Sequence, residues 1–222
     1  LFTTASKLTG RDQADVTGLI GQYAQGNEPS HHMAYLFNYA GMPWRTEELV
    51  HKICREFYTN APDGLIGNED CGQMSAWYVL SAMGFYPVCP GDGNYVLGTP
   101  LFDEVKISLE NGKTFTVTSK KKTANDFYVQ SVSLNNKDHP KTYLEHASIM
   151  EGGQLHFRLG SSANKTRGQR QSAIPPSAII ENRITVVPYF DMSSNKFAGQ
   201  TFVKLRSIEP GAAIYYRIMR PD

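Results

Sequence analysis

The chain has 222 residues, of which 41% are hydrophobic and 19% are charged, as in an ordinary globular domain or two small ones. Its formal net charge of +1 gives no electrostatic basis for a nucleic-acid partner or for an anionic membrane surface. No segment approaches the ~20 consecutive apolar residues that a membrane-spanning helix requires.

The N-terminal part of the chain carries a helical pattern. Residues 30–40 are predicted to form a first helix. Residues 43–58 place apolar side chains at three- and four-residue spacings, which predicts a second helix with Cys54 on its buried face. Residues 70–82 are predicted to form a third helix, ended by Gly84.

The pattern then changes from helical to alternating. Residues 105–109 and 114–118 alternate between apolar and polar side chains, and Asn111-Gly112 between them predicts a hairpin turn. Residues 161–172 have the composition of a linker. Further strands are predicted at residues 127–134, 155–159, 179–187, 201–205 and 214–218.

A short motif occurs twice, each time ahead of a predicted helix. Gly26-Asn27-Glu28 precedes the first helix, and Gly67-Asn68-Glu69-Asp70 leads into the third. If successive helices are antiparallel, the first and third helices point the same way, so both motifs lie at one end of the helical layer. This arrangement gathers polar residues around one mouth: Asn27, Glu28, Glu69 and Asp70, with His31 and His32 one turn deeper.

The residues gathered there allow several kinds of chemistry. Carboxylate and amide oxygens suit calcium, and a carboxylate near a polyhydroxylated substrate can activate water as a general base. A helix cap explains each acid taken singly at least as well, since Asp70 followed by Gln73 fits a capping box and Ser30 is an ordinary N-cap. Zinc at His31-His32 is disfavoured, because adjacent helical residues diverge by about 100°.

Two long strings of residues resemble sequence signatures of glycoside hydrolase family 92. The first is GNEPSHH at residues 26–32, followed by YLFNYAG at residues 35–41. The second is GNEDCGQMSAWYVLSAMGFYP at residues 67–87, followed by YVLGTPLF at residues 95–102. These strings keep their order and family-like separations, and the resemblance covers residues 1–160.

The resemblance implies an exo-acting α-mannosidase that cleaves α-1,2-type or related linkages in mannose-containing glycans. It implies inversion at the anomeric carbon, assisted by a calcium ion bound to the hydroxyls of the mannose. The implied fold class is α+β, with a partial (α/α)₆ helical-barrel segment, then antiparallel β-sandwich-like strands and a small C-terminal β piece. We expect barrel helices at residues 1–86, a β region closing the catalytic unit at 87–165, and a linker plus a small accessory β domain at 166–222.

The resemblance also implies roles for the residues of the two motifs. We expect Asp70 to be the general base, with Glu69 as the second carboxylate beside it. We expect Asn27 and Glu28 to be calcium ligands. His31 and Gln73 are expected to line the site and to bind the substrate by hydrogen bonding.

The general acid and an N-terminal β-sandwich are expected upstream of Leu1 in the same polypeptide, so the isolated chain is expected to be inactive on ordinary mannosides. A periplasmic, cell-surface or secreted location is expected from the resemblance. The C-terminal piece is a spacer or an accessory binding module.

Two other interpretations stay open for the whole chain. A non-catalytic carbohydrate-binding module would bind glycans without calcium, and a structural unit would lose only ~1 kcal/mol of stability in Asp70→Ala.

Overall fold

The computed structural model describes residues 1–4, 16–177, 186–192, 194, 196 and 198–218. The chain divides into two compact units, Leu1–Pro176 and Ser177–Asp222. The first unit combines helices with mixed sheets, which confirms the predicted α+β class. None of the helices in the described ranges is long and apolar enough to cross a membrane.

The helical part of the first unit follows a short antiparallel hairpin. Strands β1 (Leu19–Ile20) and β2 (Tyr23–Ala24) form this hairpin. After it come, in chain order, 3₁₀ turns at Glu28–Ser30 and Met33–Tyr35, and helices α1 (Leu36–Tyr39), α2 (Pro43–Glu56) and α3 (Gln73–Met83).

Helix α2 confirms the second predicted helix. Its buried residues Leu49, Val50, Ile53 and Cys54 follow the three- and four-residue spacing of one helical face. Burial raises the pKa of the Cys54 thiol, so this side chain packs as a small hydrophobic residue, as predicted.

The helix predicted at residues 30–40 is interrupted, because two 3₁₀ turns and the four-residue helix α1 occupy its place. The Ser30 hydroxyl donates hydrogen bonds to the backbone oxygens of Ala24 and Asn27. Side-chain bonds to nearby backbone groups compete with the regular helical ladder. The predicted N-cap role of Ser30 is therefore wrong, since its side chain bonds to carbonyl oxygens.

Helix α3 begins at Gln73 and not at Asp70. Asp70 and Cys71 have φ angles of 47° and 58°, and Gly72 at the N-cap has a φ of 89°. Three consecutive residues in the left-handed region cannot belong to a right-handed helix. The other end agrees with the prediction, since Gly84 ends the helix with a φ of 103°.

The β region of the first unit forms two sheets. In chain order its elements are β3 (Phe85–Tyr86), β4 (Asn94–Leu97), β5 (Glu104–Ser108), β6 (Thr114–Lys120), β7 (Tyr128–Leu134), β8 (Lys137–Asp138), β9 (Tyr143–Glu145), α4 (His146–Met150) and β10 (Gly153–Gly160). The smaller sheet has the order β3-β4-β9 and is antiparallel. The larger sheet has the order β5-β6-β10-β7-β8.

The larger sheet contains the predicted hairpin and one parallel pair. Strands β5 and β6 are antiparallel, with Val105 opposite Val117, which confirms the turn predicted at Asn111-Gly112. Strand β10 lies between β6 and β7, parallel to the first and antiparallel to the second. The sheet is therefore mixed, where the sequence predicted only antiparallel strands.

Two hydrophobic clusters hold the first unit together. One lies on the larger sheet and includes Phe115, Val117 and Phe157. The other joins the helical part to the smaller sheet and is rich in aromatic side chains; we call it the aromatic cluster. Its buried members are Tyr23, Ala34, Tyr35, Leu49, Val50, Ile53, Cys54, Trp77, Tyr86 and Val96.

Residues 161–172 pack against the rest of the first unit, so the predicted linker is wrong. The Arg167 guanidinium lies 3.3 Å from the carboxylate of Glu47 on α2, and the two side chains are only 7% and 2% exposed. The second Glu47 oxygen accepts a hydrogen bond from the Val129 backbone N–H at 3.0 Å. Local composition could not reveal a pairing partner 120 positions away.

The second unit contains one antiparallel pair in its described residues, β11 (Tyr189–Asp191) with β12 (Lys204–Arg206). Strand β12 overlaps the end of the strand predicted at residues 201–205. No strand forms at residues 214–218, so that prediction is wrong. The strand predicted at 179–187 falls mostly outside the described residues.

Candidate functional site

The two repeated motifs lie side by side, as the antiparallel helix argument predicted. Gly67 has a φ of 80°, and a Cβ added to it would lie 2.9 Å from the Cα of Gly26. Glycine is needed here both for the left-handed backbone and for this close approach. The contact brings the segment that contains Asn27 and Glu28 next to the segment that contains Asp70.

Glu69 holds the start of helix α3. Its two carboxylate oxygens accept hydrogen bonds from the Ser75 backbone N–H at 3.2 Å and the Ser75 hydroxyl at 2.9 Å. Its backbone oxygen accepts from the Met74 N–H. The capping box predicted for Asp70 and Gln73 is therefore wrong, since the Gln73 N–H donates to the Asp70 backbone oxygen. Glu69 supplies the carboxylate that caps this helix.

Asp70 projects from the left-handed turn that precedes α3. The residue is exposed, and its φ of 47° is uncommon outside glycine. Among the residues that the structure describes, no hydrogen bond or ion pair engages its carboxylate. The hydrogen bonds of Glu69 and of the Asp70 backbone oxygen hold this conformation. The turn thus presents a carboxylate that is open to solvent, at a backbone position that costs free energy to maintain.

Asn27 and Glu28 begin the first 3₁₀ turn on the neighbouring segment. Asn27 is exposed and Glu28 is half-buried. Their amide and carboxylate oxygens are ligands that calcium accepts, as are backbone carbonyl groups. Within the described ranges, no group of three or more His, Cys, Asp or Glu side chains could hold a metal ion. Only the chemistry of the Asn27 and Glu28 side chains thus favours calcium, and backbone oxygens, water or other residues would have to supply the remaining ligands.

His31 lies beneath the mouth and bonds to Gln73. The His31 side chain is buried, with its Nε2 2.9 Å from the Gln25 backbone oxygen and its Nδ1 3.1 Å from Gln73 Nε2. The backbone oxygen can only accept, so Nε2 carries the proton and Nδ1 accepts from the Gln73 amide. Burial lowers the pKa of His31, which favours this neutral form. The His31 ring therefore orients Gln73 from below.

Gln73 is the first residue of α3 and is half-buried. Its amide nitrogen also donates to the Tyr86 hydroxyl at 3.0 Å. Of the predicted pair, Gln73 is the side chain nearer the surface. His32 turns elsewhere and lines a groove of about 670 Å³ with Phe37 and Met42, so the two histidines do not converge on one point.

Sequence reasoning missed two polar residues under the mouth. Gln25 is 0% exposed and donates from its side chain to the Tyr58 hydroxyl at 2.8 Å. Tyr58 donates in turn to the backbone oxygen of Met74 at 3.2 Å. A single glutamine and a single tyrosine match no motif, so no signal in one sequence identifies them.

Comparison with known families gives one match over most of the chain. The profile of the glycosyl hydrolase family 92 catalytic domain matches residues 1–161. Among curated proteins, the chain is 32% identical over 155 residues to an uncharacterized secreted glycosidase of Arthroderma benhamiae. That alignment covers 68% of this chain and 20% of the relative.

Solved structures include similar proteins from Bacteroides thetaiotaomicron. A family GH92 alpha-mannosidase in complex with mannoimidazole matches with a TM-score of 0.76 and 39% identity, over 79% of this chain and 23% of that chain. A family GH92 inverting mannosidase matches with a TM-score of 0.67 and 41% identity, over 71% of this chain and 21% of that chain. The chain thus spans about a fifth of the length of these relatives.

Proposed function

The chain belongs to glycosyl hydrolase family 92, and from this we propose that it is part of an exo-acting enzyme that removes α-linked mannose from glycans by inverting hydrolysis. The observation that carries the proposal is the contact between the two motif segments at Gly26 and Gly67. The similar mannosidases of known structure support mannose as the sugar. The secreted relative supports a periplasmic, cell-surface or secreted location.

In the proposed mechanism Asp70 is the general base. Its carboxylate removes a proton from a water molecule while the water oxygen attacks the anomeric carbon from the face opposite the leaving group. The exposure of Asp70 and the absence of a partner for its carboxylate among the described residues support this role. Glu69 is less suited to it, because both of its carboxylate oxygens bond to Ser75. We propose that Glu69 assists by fixing the turn that presents Asp70.

A general acid must protonate the leaving-group oxygen as the glycosidic bond breaks. In an inverting enzyme this acid lies about 6.5–9.5 Å from the base, which leaves room for the water. We propose that another part of the complete polypeptide contributes it, since the chain spans about a fifth of its relatives. We therefore expect the 222-residue chain alone to be inactive on mannosides.

Asn27 and Glu28 are the proposed calcium ligands. When bound, calcium would neutralise part of the negative charge at the mouth and coordinate hydroxyl groups of the sugar. Gln73 is the proposed hydrogen-bonding residue to the sugar, since it is half-buried at the first position of α3. His31 lies behind it and holds its amide in place.

The proposal is tested with the complete polypeptide and its Asp70→Asn variant on a panel of α-mannosides, with and without EDTA. We expect the wild type to release β-configured mannose first, seen by NMR, and to lose activity in EDTA. Asp70→Asn should lower kcat by about 10²–10⁴-fold. Asp63→Asn, which changes another exposed aspartate in a turn, is the matched control and should keep full activity.

Each unfavourable outcome has a specific meaning. Full activity of Asp70→Asn would remove Asp70 from catalysis and direct attention to Glu69. Activity that survives EDTA in protein shown by elemental analysis to contain no calcium would exclude calcium from the mechanism. If the wild type hydrolyses no linkage of the panel but binds mannosides without calcium, this family member acts as a carbohydrate-binding module.

A further inference from the structure

Gln25 is a buried amide in an aromatic environment. It directly precedes the first motif, its side chain is 0% exposed, and it lies among Tyr23, Tyr58 and His31. A buried amide destabilises a fold unless its hydrogen bonds are made. Both ends of this amide are bonded, since its oxygen accepts from the Tyr23 hydroxyl and its nitrogen donates to the Tyr58 hydroxyl. Packing alone would favour an apolar residue here.

The hydrogen bonds made through the Gln25 side chain run in one direction, from Tyr23 through Gln25 and Tyr58 to helix α3. Tyr58 donates to the Met74 backbone oxygen, which can only accept. The single Tyr58 proton is therefore committed to Met74, so Gln25 must present its nitrogen, and not its oxygen, to Tyr58. Only one orientation of the Gln25 amide satisfies every group.

A second path joins the same two segments through His31. The Gln25 backbone oxygen accepts from His31 Nε2, and His31 Nδ1 accepts from the Gln73 amide. Gln73 and Met74 are neighbours at the start of α3. The two paths close a ring of hydrogen bonds, with the chain before Asn27 on one side and the first turn of α3 on the other.

The ring is also fixed by its surroundings. The Tyr58 ring stacks on Trp77, with centroids 6.0 Å apart and planes at 11°, and the Trp77 indole donates to the His31 backbone oxygen at 3.1 Å. Buried networks whose members are all satisfied are stiff. The ring therefore sets the spacing of the two motif segments, which touch directly at Gly26 and Gly67.

We infer that Gln25 and Tyr58 are positioning residues that hold the segment of Asn27 and Glu28 in register with the turn that carries Asp70. The inference rests on the proposed function, because the register matters only if the two segments share one substrate. Neither side chain is required to touch that substrate. A displacement of about 1 Å between such groups lowers the rate of a reaction by about 10²-fold.

The test compares Tyr58→Phe with Tyr35→Phe in the complete polypeptide. Each change removes one tyrosine hydroxyl, from Tyr35 within the aromatic cluster or from Tyr58 packed against it. The Tyr35 hydroxyl donates to Ser81, about two turns along α3 from Gln73 and Met74. On an aryl α-mannoside, Tyr58→Phe is expected to lower kcat by about 10- to 100-fold with a smaller change in KM. Tyr35→Phe is expected to lower the melting temperature about as much as Tyr58→Phe does, but to keep the wild-type kcat.

Gln25→Met is the second variant, since methionine fills a similar volume and makes none of the amide's hydrogen bonds. It is expected to lower kcat as Tyr58→Phe does. If Tyr58→Phe and Gln25→Met fold and keep the kcat of Tyr35→Phe, the ring is structural only and the inference is overturned. That result is distinct from failure of the proposed function, in which the wild type itself hydrolyses no mannoside.

Discussion

Replacing Arg167 by methionine removes one charge from a buried ion pair and keeps most of the aliphatic packing. The Arg167 guanidinium lies 3.3 Å from the Glu47 carboxylate, and the side chains are 7% and 2% exposed. The Nη2 atom of Arg167 is buried without a hydrogen-bond partner among the described residues, so the pair lacks the full set of bonds that offsets desolvation. Among the described residues, the variant leaves the Glu47 carboxylate with the Val129 N–H as its one hydrogen-bond donor.

The size of the effect follows from the separation and the burial. Two unit charges at this distance attract by about 5 kcal/mol at an effective dielectric constant of about 20. Removing one partner of a buried pair costs about 3–5 kcal/mol in measured cases. In Arg167→Met, however, Glu47 can escape part of this penalty by taking up a proton, and a wild-type pKa of about 7 limits the additional loss at pH 8 to about 1.4 kcal/mol. We therefore expect Arg167→Met to lower the free energy of unfolding by about 2–3 kcal/mol at pH 8.

The loss should depend on pH in a definite direction. Burial raises the pKa of Glu47 from its ordinary value of 4.5 to about 7, although the nearby charge of Arg167 acts to lower it. Between these two values the folded chain keeps a proton that the unfolded chain has released, so the contribution of Glu47 to stability falls as the pH rises. At pH 5 Glu47 is protonated in the fold. The variant then loses a hydrogen bond to a neutral partner, worth about 1 kcal/mol.

Urea unfolding of wild type and variant at pH 5 and pH 8, followed by tryptophan fluorescence, measures both values. Lys52→Met is the control, because Lys52 and Glu56 form an exposed pair on the same helix and should contribute less than about 1 kcal/mol at either pH. A loss below about 1 kcal/mol at pH 8 would contradict the burial of the pair. An equal loss at both pH values would contradict the raised pKa of Glu47.

Two further predictions concern a glycine and the cysteines. Gly84→Ala should destabilise the fold by about 2–3 kcal/mol in urea unfolding, because the residue has a φ of 103° and a Cβ there would lie 3.3 Å from the Phe157 ring. Gly112→Ala is the control, because Gly112 has a φ of 79° but no atom lies within 4 Å of the added Cβ. It should lower the free energy of unfolding by only about 1 kcal/mol. If both variants lose the same amount, the contact with Phe157 is not a cause of the Gly84→Ala loss. A thiol reagent should label two of the three cysteines in the native protein and reach Cys54 only after unfolding, whereas native labelling of all three would contradict its burial.

The spacing of apolar residues was sufficient to predict elements whose hydrogen bonds join residues close in sequence. Helix α2 and the β5–β6 hairpin follow directly from the spacing of apolar residues and from the Asn-Gly turn. The start of α3 was misplaced because Asp70 and Cys71 adopt left-handed backbone that glycine usually supplies. Propensity rules place ordinary residues in the commoner regions, so a strained turn at a candidate site escapes them.

Longer-range features could not be read from the sequence. Residues 161–172 are polar and resemble a linker, and only the fold shows that Arg167 is buried against Glu47. The meeting of the two motifs is an exception, because it was predicted from the assumption that successive helices are antiparallel. Gln25 was missed, since its importance depends on Tyr58 and Met74, which are distant in sequence.

The central position of β10 means that the larger sheet can be completed only after this strand has been synthesised. This strand is the last of the larger sheet to be synthesised, yet it lies at the centre, between β6 and β7. Until residues 153–160 are available, β6 of the β5–β6 hairpin and β7 of the β7–β8 hairpin each lack their second partner strand. Open edges pair readily with other chains. A nascent or shortened polypeptide that ends before Gly153 would therefore expose unpaired edges of β6 and β7, which β10 covers in the complete sheet. These two edges could pair with strands of other chains and so promote aggregation.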